Sequence, residues 1–309
     1  MIFIFLDGVG VGEASAQNPF YAAQAEFLPF YTGNMHFPDG TPVKPIDAVL
    51  GVEGLPQSAS GQTSLFTGEN LPKLLNRHGG SYPNPLMRKF IKEKSILRCL
   101  TDRGFKAVFI NAYPVYSRFF TGTHIKIRTD GELHFSRHFP AEFKRRISVS
   151  TCMMVANGQT PFNEKDILAK RSIFQDYSNR WLIEKGLPLP EFSPVQAAEI
   201  LVRAAQRYDF VLYEYFQTDV YAHRRGFADQ VQLVKELNLL MGTLVSLLDP
   251  GRDTLLVTSD HGNLEDSSSR AHSRNPVPLV VWGHRSQELR EPINGLTDVT
   301  PVILKFFAP

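Results

Sequence analysis

Mainly apolar runs stand at residues 1–6, 107–110, 210–215, 254–258 and 278–282, each closed by turn-forming residues. Short runs with little polar alternation suit strands buried on both faces, the pattern of a parallel sheet. Helical patterns fill the intervals. Ser193-Pro194 has the N-cap and N1 order of a helix start, and residues 197–207 continue it. Residues 227–248 form the longest helical pattern, ending before Pro250-Gly251, and a last helix over about 298–307 takes Asp298 as its cap. Strand–helix alternation predicts an α/β fold with a doubly wound, mostly parallel sheet.

Two stretches break the rhythm. Residues 11–51 are rich in Pro, Gly and Asn and predict an extended loop over the sheet. In residues 113–190, two strand-like pieces at 124–128 and 131–137 are joined by Thr129-Asp130-Gly131, a hairpin signal, and an Arg-containing, loop-rich region follows. The predicted division is a core of residues 1–112 and 191–309 with an inserted cap at 113–190; irregular core edge is the alternative.

Composition narrows the class. The 309 residues are 43% hydrophobic, enough to bury a large core. Lys and Arg (33) nearly balance Asp and Glu (31), and a net charge of +2 gives no footprint for nucleic acid. Cys99 and Cys152 lack metal-site or disulfide spacing and suit a reducing compartment. No run reaches the ~20 apolar residues of a membrane span, and residues 1–6 lack a basic leader. The expectation is a soluble cytoplasmic protein.

The chemistry gathers at predicted strand ends. Asp7 closes the first run and is followed by Gly8-Val9-Gly10, where ligands of open α/β sheets bind. Alone, an Asp there also fits a turn cap. The segment Ser58-Ala59-Ser60-Gly61-Gln62-Thr63-Ser64-Leu65-Phe66-Thr67-Gly68 reads as a loop entering a helix. A serine there meets the positive end of a helix dipole, which suits phosphate, although Ser58 or Ser60 also fits a plain N-cap. Asp219 and His223, four apart, share one helical face and can reach one ion or simply pair with each other. Asp260-His261-Gly262-Asn263 directly follows a strand, and Gly262 permits the break that would let Asp260 and His261 approach a common ion. His272 lies in the loop before the last strand. Carboxylate plus imidazole suits zinc or manganese rather than calcium. Two such ions ~3.5–4 Å apart would clamp a phosphoryl oxygen and activate a serine hydroxyl.

These motifs, in this order, resemble the alkaline phosphatase superfamily, and within it the cofactor-independent phosphoglycerate mutase and phosphopentomutase branch. Asp7-Gly8-Val9-Gly10 is similar to the branch's opening motif, Ser58-x-x-Gly61 to its nucleophile segment, and Asp219-x-x-x-His223, Asp260-His261-Gly262-Asn263 and His272-x-x-Asn275-Pro276-Val277-Pro278 to its remaining ligand motifs. Leu296-Thr297-Asp298-Val299-Thr300-Pro301 is similar to its C-terminal helix start. The spacing from Ser58 to Thr67-Gly68 also resembles the sulfatase and nucleotide-pyrophosphatase versions, which selects Ser58 over Ser60, Thr63 or Ser64. The resemblance implies an alkaline phosphatase-like core in which one ion is held by Asp7, Ser58, Asp260 and His261 and the other by Asp219, His223 and His272.

The chain departs from the branch in lacking the large phosphotransferase insert after the nucleophile segment, and in having Ala59 and Gln62 where the branch has other residues. The expectation is therefore a two-metal enzyme, Mn or Zn, that hydrolyses a small phosphate ester through a phosphoserine at Ser58. Phosphomutase action and a non-catalytic metal-binding role are the alternatives. A sulfatase would need a Cys/Ser-x-Pro-x-Arg motif, which the segment lacks. Arg118, Arg171 and Arg180 of the cap are candidates to clamp substrate phosphate or carboxylate.

Overall fold

The computed structural model describes residues 1–308. Its main sheet has six strands in the order β2-β8-β7-β1-β6-β3: β1 (Ile2–Leu6), β2 (Val43–Ile46), β3 (Ala107–Phe109), β6 (Phe210–Tyr215), β7 (Thr254–Thr258) and β8 (Val277–Gly283). Strands β7, β1, β6 and β3 are parallel, whereas β8 runs antiparallel to β7 and β2 antiparallel to β8. All five runs predicted as strands are strands.

The apolar runs are continuous because helices cover both faces. In β1, Phe3 and Phe5 point into one cluster, with the Ser58–Thr67 and Leu296–Phe306 helices. Ile2, Ile4 and Leu6 point into the other, against the Pro194–Ala205 and Phe227–Leu247 helices. Every residue of β1 is buried. This is the doubly wound arrangement expected of the α/β pattern.

Three expectations change. Within 11–51, read as a loop, Val43–Ile46 forms the edge strand β2. Its Val43 and Ile46 are buried while Lys44 and Pro45 face outward, and an edge tolerates the proline that a central strand would not. Asp298 is not the cap of the last helix but its third residue, accepting from the Gly295 and Asn294 amides at 3.0 and 2.8 Å. Residues 113–190 hold more than loops. The predicted hairpin is present as β4 (Ile125–Ile127) and β5 (Leu133–Phe135), and Val149–Ala156 is helical.

The same region enters both clusters, with Cys152, Met153 and Met154 in one and Ile173, Phe174 and Tyr177 in the other. Gln159 completes the free edge of β3. Its amide donates to the Phe109 carbonyl at 2.7 Å and its oxygen accepts from the Phe109 N–H at 2.9 Å. Among the described residues no helix is long and apolar enough to cross a membrane.

Candidate metal centre

The sheet brings the charged motifs to one edge. Strands β1, β6 and β7 end there, and β8, being antiparallel, starts there, so the loop carrying His272 never leaves it. Asp7 follows the last residue of β1, and Gly8 turns the chain at φ +69, a conformation that favours glycine. A Cβ on Gly8 would also stand 2.7 Å from Asp219 Oδ1, so the turn is what lets the two carboxylates approach. Ser58 opens the Ser58–Thr67 helix, which Gly68 ends in the left-handed conformation. Gln57, not Ser58 or Ser60, is the N-cap residue, which leaves the Ser58 hydroxyl free of that duty. Gly61 packs this helix against the end of β7: a Cβ there would be 2.8 Å from the Asp260 carbonyl oxygen.

Two clusters result. Asp7, Asp260 and His261 are fully buried and bring their ligand atoms within 4.8 Å of one another, as do Asp219, His223 and His272. Asp219 and His223 share one face of the Gln217–Arg224 helix, with Oδ1 and Nε2 3.3 Å apart. Ser58 Oγ lies 3.0 Å from His261 Nε2. The His261 and His272 rings stack at 3.8 Å and join the clusters.

The polar accounting favours cations. Asp7 Oδ1 and Asp260 Oδ2 are buried without a hydrogen-bond partner, 3.5 and 3.6 Å from His261 Nε2. Buried orphan acceptors of this kind are costly unless something positive meets them. His223 and His272 point Nδ1 at the carbonyls of Arg270 and Pro56, at 2.6 and 2.7 Å. That orientation turns the two Nε2 atoms toward each other, 3.2 Å apart, with Asp219 Oδ1 beside both at 3.3 and 3.7 Å. Two converging imidazole nitrogens and a carboxylate oxygen form a donor set that suits a cation. The donor set of carboxylate oxygen and imidazole nitrogen fits a borderline divalent metal in each cluster.

Ionisation follows burial and charge. Desolvation first, and then the neighbouring Asp260, Asp219 and Glu214, push the Asp7 carboxyl well above its usual range. Burial and the charge of Asp219 raise Asp260 to about 7. Burial works to raise Asp219 too, but the hydrogen bond from His223 and the charges of His261 and His223 bring it down to about 2. His223 is raised, chiefly by its hydrogen bond to Asp219, while burial lowers His261 and His272.

Residues beyond the predicted set complete the site. Gln62 donates to Asp7 Oδ2 at 3.4 Å, and Asn263 donates to Asp219 Oδ1 at 3.1 Å. Glu265 lies beneath the loops. It accepts from the Gly10 and Asn263 amides, both at 2.7 Å, from Asn275 Nδ2 at 3.0 Å and from the Ser273 hydroxyl. The role expected of Gly262, permitting a break, is served differently. Residues 260 and 261 already lie beyond the end of β7, and a Cβ on Gly262 would collide with Ser273 Oγ and Glu265 Oε1.

Asp7, Ser58, Asp219, His223 and His272 line a cavity of about 700 Å³, walled largely by residues 113–181. Arg118, Arg171 and Arg180 do not line it. Arg118 is exposed and lies over the Phe119 ring, Arg171 pairs with Asp166 at 2.5 Å, and Arg180 pairs with Glu191 and Glu236 at 2.6 and 3.0 Å. Two of these guanidiniums are already satisfied by carboxylates of the chain itself. The Lys or Arg side chain that lines the cavity is Arg146.

Comparison with known proteins gives the same frame. Residues 184–308, which carry Asp219, His223, Asp260, His261 and His272, match the family model described as Metalloenzyme superfamily. The 2,3-bisphosphoglycerate-independent phosphoglycerate mutase of Pseudomonas fluorescens (strain Pf-5) is 34% identical over 125 residues, covering 38% of this chain and 24% of that protein. The enzyme of the same description from Pseudomonas aeruginosa (strain PAO1) is 36% identical over 124 residues, 37% of this chain and 24% of that one. The match thus spans about a quarter of the length of these relatives. The structure of alkaline phosphatase from the Antarctic bacterium TAB5 superposes with a TM-score of 0.52 at 14% identity, covering 98% of this chain and 96% of that one. Phosphoglycerate mutase of Leishmania mexicana gives 0.50 at 10% identity, covering 100% and 95%. These matches bear out the α/β fold and, over residues 184–308, the resemblance to a family of metalloenzymes.

Proposed function

We propose that this chain, with its alkaline phosphatase-like fold and ligand motifs, is a two-metal phosphoryl-transfer enzyme that hydrolyses a phosphate monoester in the cytoplasm, with Ser58 as nucleophile. The observation that carries the reading is Ser58 Oγ at the floor of the cavity, 3.0 Å from His261 Nε2 and beside two clusters of metal-ligand type. Asp7, Asp260 and His261, with Ser58, would hold one divalent ion, and Asp219, His223 and His272 the other. Mn and Zn are the proposed metals. Ions there would supply Lewis acidity, polarising phosphoryl oxygens and lowering the pKa of the Ser58 hydroxyl.

The chain's own contributions are positional. The Ser58–Thr67 helix aims Oγ into the cavity and presents its positive N-terminal end to a phosphate. Asn263 and the two backbone carbonyls set the orientation of Asp219, His223 and His272. Ser58 Oγ attacks phosphorus, an O–P bond forms and the ester P–O bond breaks. The leaving oxygen takes the electron pair and a solvent proton, while the serine proton passes to water in the cavity. A water then attacks the phosphoserine, releasing phosphate and restoring Ser58.

The curated relatives are named as mutases, and a phosphomutase differs only in the second acceptor, a substrate hydroxyl instead of water. The single guanidinium of the cavity favours hydrolysis, because holding a phosphorylated intermediate for re-transfer needs more cations than Arg146 provides. The test is a metal-supplemented screen of monoesters, diesters and sugar phosphates with release of inorganic phosphate as readout. No turnover of any phosphate ester with Mn or Zn present would overturn the proposal.

A further inference from the structure

We infer that the alcohol part of the substrate is a bulky apolar group bearing an aromatic ring, held between the aromatic walls of the cavity above Ser58. The inference rests on the phosphoryl-transfer reading and adds the substrate class.

Four large apolar side chains that remain exposed, Leu55, Tyr82, Val115 and Trp181, at 41%, 48%, 41% and 41%, all line this cavity. Exposed apolar surface gathered in one place marks a binding surface more often than chance scatter. Deeper in, Phe174 stacks on Trp181 with ring centroids 5.8 Å apart and planes 18° apart, and Tyr116 lies against Phe143 at 4.1 Å. Both pairs line the same cavity as Ser58. A phosphate seated at Ser58 therefore directs its ester group into space bounded by rings, and an aromatic group there gains stacking as well as burial.

Size and charge agree. A volume of about 700 Å³ exceeds what a small phosphorylated acid fills and lies within the range of ~300–1,000 Å³ typical of larger organic ligands. Apart from the histidines of the metal clusters, Arg146 is the cationic side chain lining it. A substrate with a carboxylate or second phosphate beyond the reacting group would find Arg146 as its one fixed positive partner there, and the carboxyl of Glu214 lines the same cavity.

The test pairs two alkyl esters of similar leaving-group basicity, 2-(1-naphthyl)ethyl phosphate and ethyl phosphate, on the Mn-loaded protein. Burying the naphthyl group should raise kcat/KM at least about 30-fold over ethyl phosphate. The ratio should fall at least about fivefold in Trp181→Ala and in Tyr116→Ala; being a ratio, it is insensitive to the fraction of folded enzyme. Binding is read independently of turnover in Ser58→Ala, where naphthylethyl phosphate should quench tryptophan fluorescence at concentrations at which ethyl phosphate does not, and Trp181→Phe should lose the quench. Equal kcat/KM and equal binding for the two esters would overturn the substrate class while leaving phosphoryl transfer intact. Selective binding with no turnover of either ester would support the pocket and count against the reaction.

Discussion

Ser58 Oγ and His261 Nε2 lie 3.0 Å apart across 203 residues of sequence, one at the start of a helix and the other just past the end of β7. The contact ties the proposed nucleophile to the buried cluster of Asp7, Asp260 and His261. Ser58→Ala should therefore abolish phosphatase turnover by several powers of ten. Both ions should remain, because the other ligands stay and water can fill the vacated position. Steady-state kinetics with elemental analysis of the same preparation checks both halves. Near-normal activity in Ser58→Ala with loss in Thr63→Ala would move the nucleophile to Thr63.

His272 is the proposed ligand with the least local support, since it comes from a loop rather than a strand end or helix. It also supplies one of the two facing Nε2 atoms of the outer cluster. His272→Ala should lower bound metal from about two ions per chain toward one, because two donors on one helical turn remain while the third direction is lost. Titration of metal-free protein followed by calorimetry gives the count. Two ions retained at unchanged affinity would remove His272 from the ligand set.

Much of this centre was legible in the sequence, for a physical reason. A candidate ligand at the carboxyl end of a buried strand announces itself, as Asp7 and Asp260-His261 do, because an apolar run stops at a charged residue and a glycine. What failed was whatever depends on tertiary surroundings. Glu265 reads like any surface glutamate, yet it is buried and collects four donors; only its position five residues after Asp260 hinted at a role. Arg146 is hidden in Lys144-Arg145-Arg146, a run that reads as a solvated face. Arg171 and Arg180 looked available because their partners Asp166, Glu191 and Glu236 could be matched to them only in three dimensions. Strand β2 escaped because Lys44 and Pro45 interrupt its short apolar pattern.

Glu265 should prove to be a positioning residue. Removing its carboxylate leaves the buried Gly10 and Asn263 amides without acceptors, each costing about 1–3 kcal/mol. Glu265→Ala should lower the melting temperature by several degrees and weaken metal binding by roughly 10–100-fold. Glu265→Gln, which keeps one acceptor oxygen and the shape, should recover most of the stability. A Glu265→Ala protein of normal stability and metal affinity would show that the loops hold themselves.

Metal stabilisation should depend on pH in a defined direction. In the metal-free protein Asp260 is raised to about 7 from an ordinary 3.8, and Asp7 moves the same way. Between those values the folded state holds more protons than the unfolded state, so these groups withdraw stability as pH rises from about 4 through 7. Bound ions remove that penalty and compete better with protons as pH rises. The gain in melting temperature from Mn over EDTA should therefore be larger at pH 8 than at pH 5.5, and Asp260→Asn should raise the melting temperature of the metal-free protein at pH 8 while abolishing metal binding there. An equal metal-induced shift at both pH values would count against buried, proton-holding carboxylates.

Substrate anchoring should separate the arginines. Arg146 lines the cavity with Ser58 and has no ion-pair partner among the described residues, whereas Arg171 and Arg180 are held by carboxylates outside it. A charge-assisted contact to a substrate oxygen is worth about 1.5–3 kcal/mol, so Arg146→Ala should cost roughly 10–150-fold in kcat/KM. Arg171→Ala should leave kcat/KM within about twofold, since its exposed pair with Asp166 contributes little. Arg180→Ala should act on stability instead, because it opens the Glu236 network in which Tyr177 also donates, at 2.6 Å. Kinetics and thermal denaturation of the three variants side by side decide the matter. A kcat/KM loss in Arg180→Ala larger than that in Arg146→Ala, at matched stability, would place the anchoring charge on the far side of Trp181 and redraw the pocket.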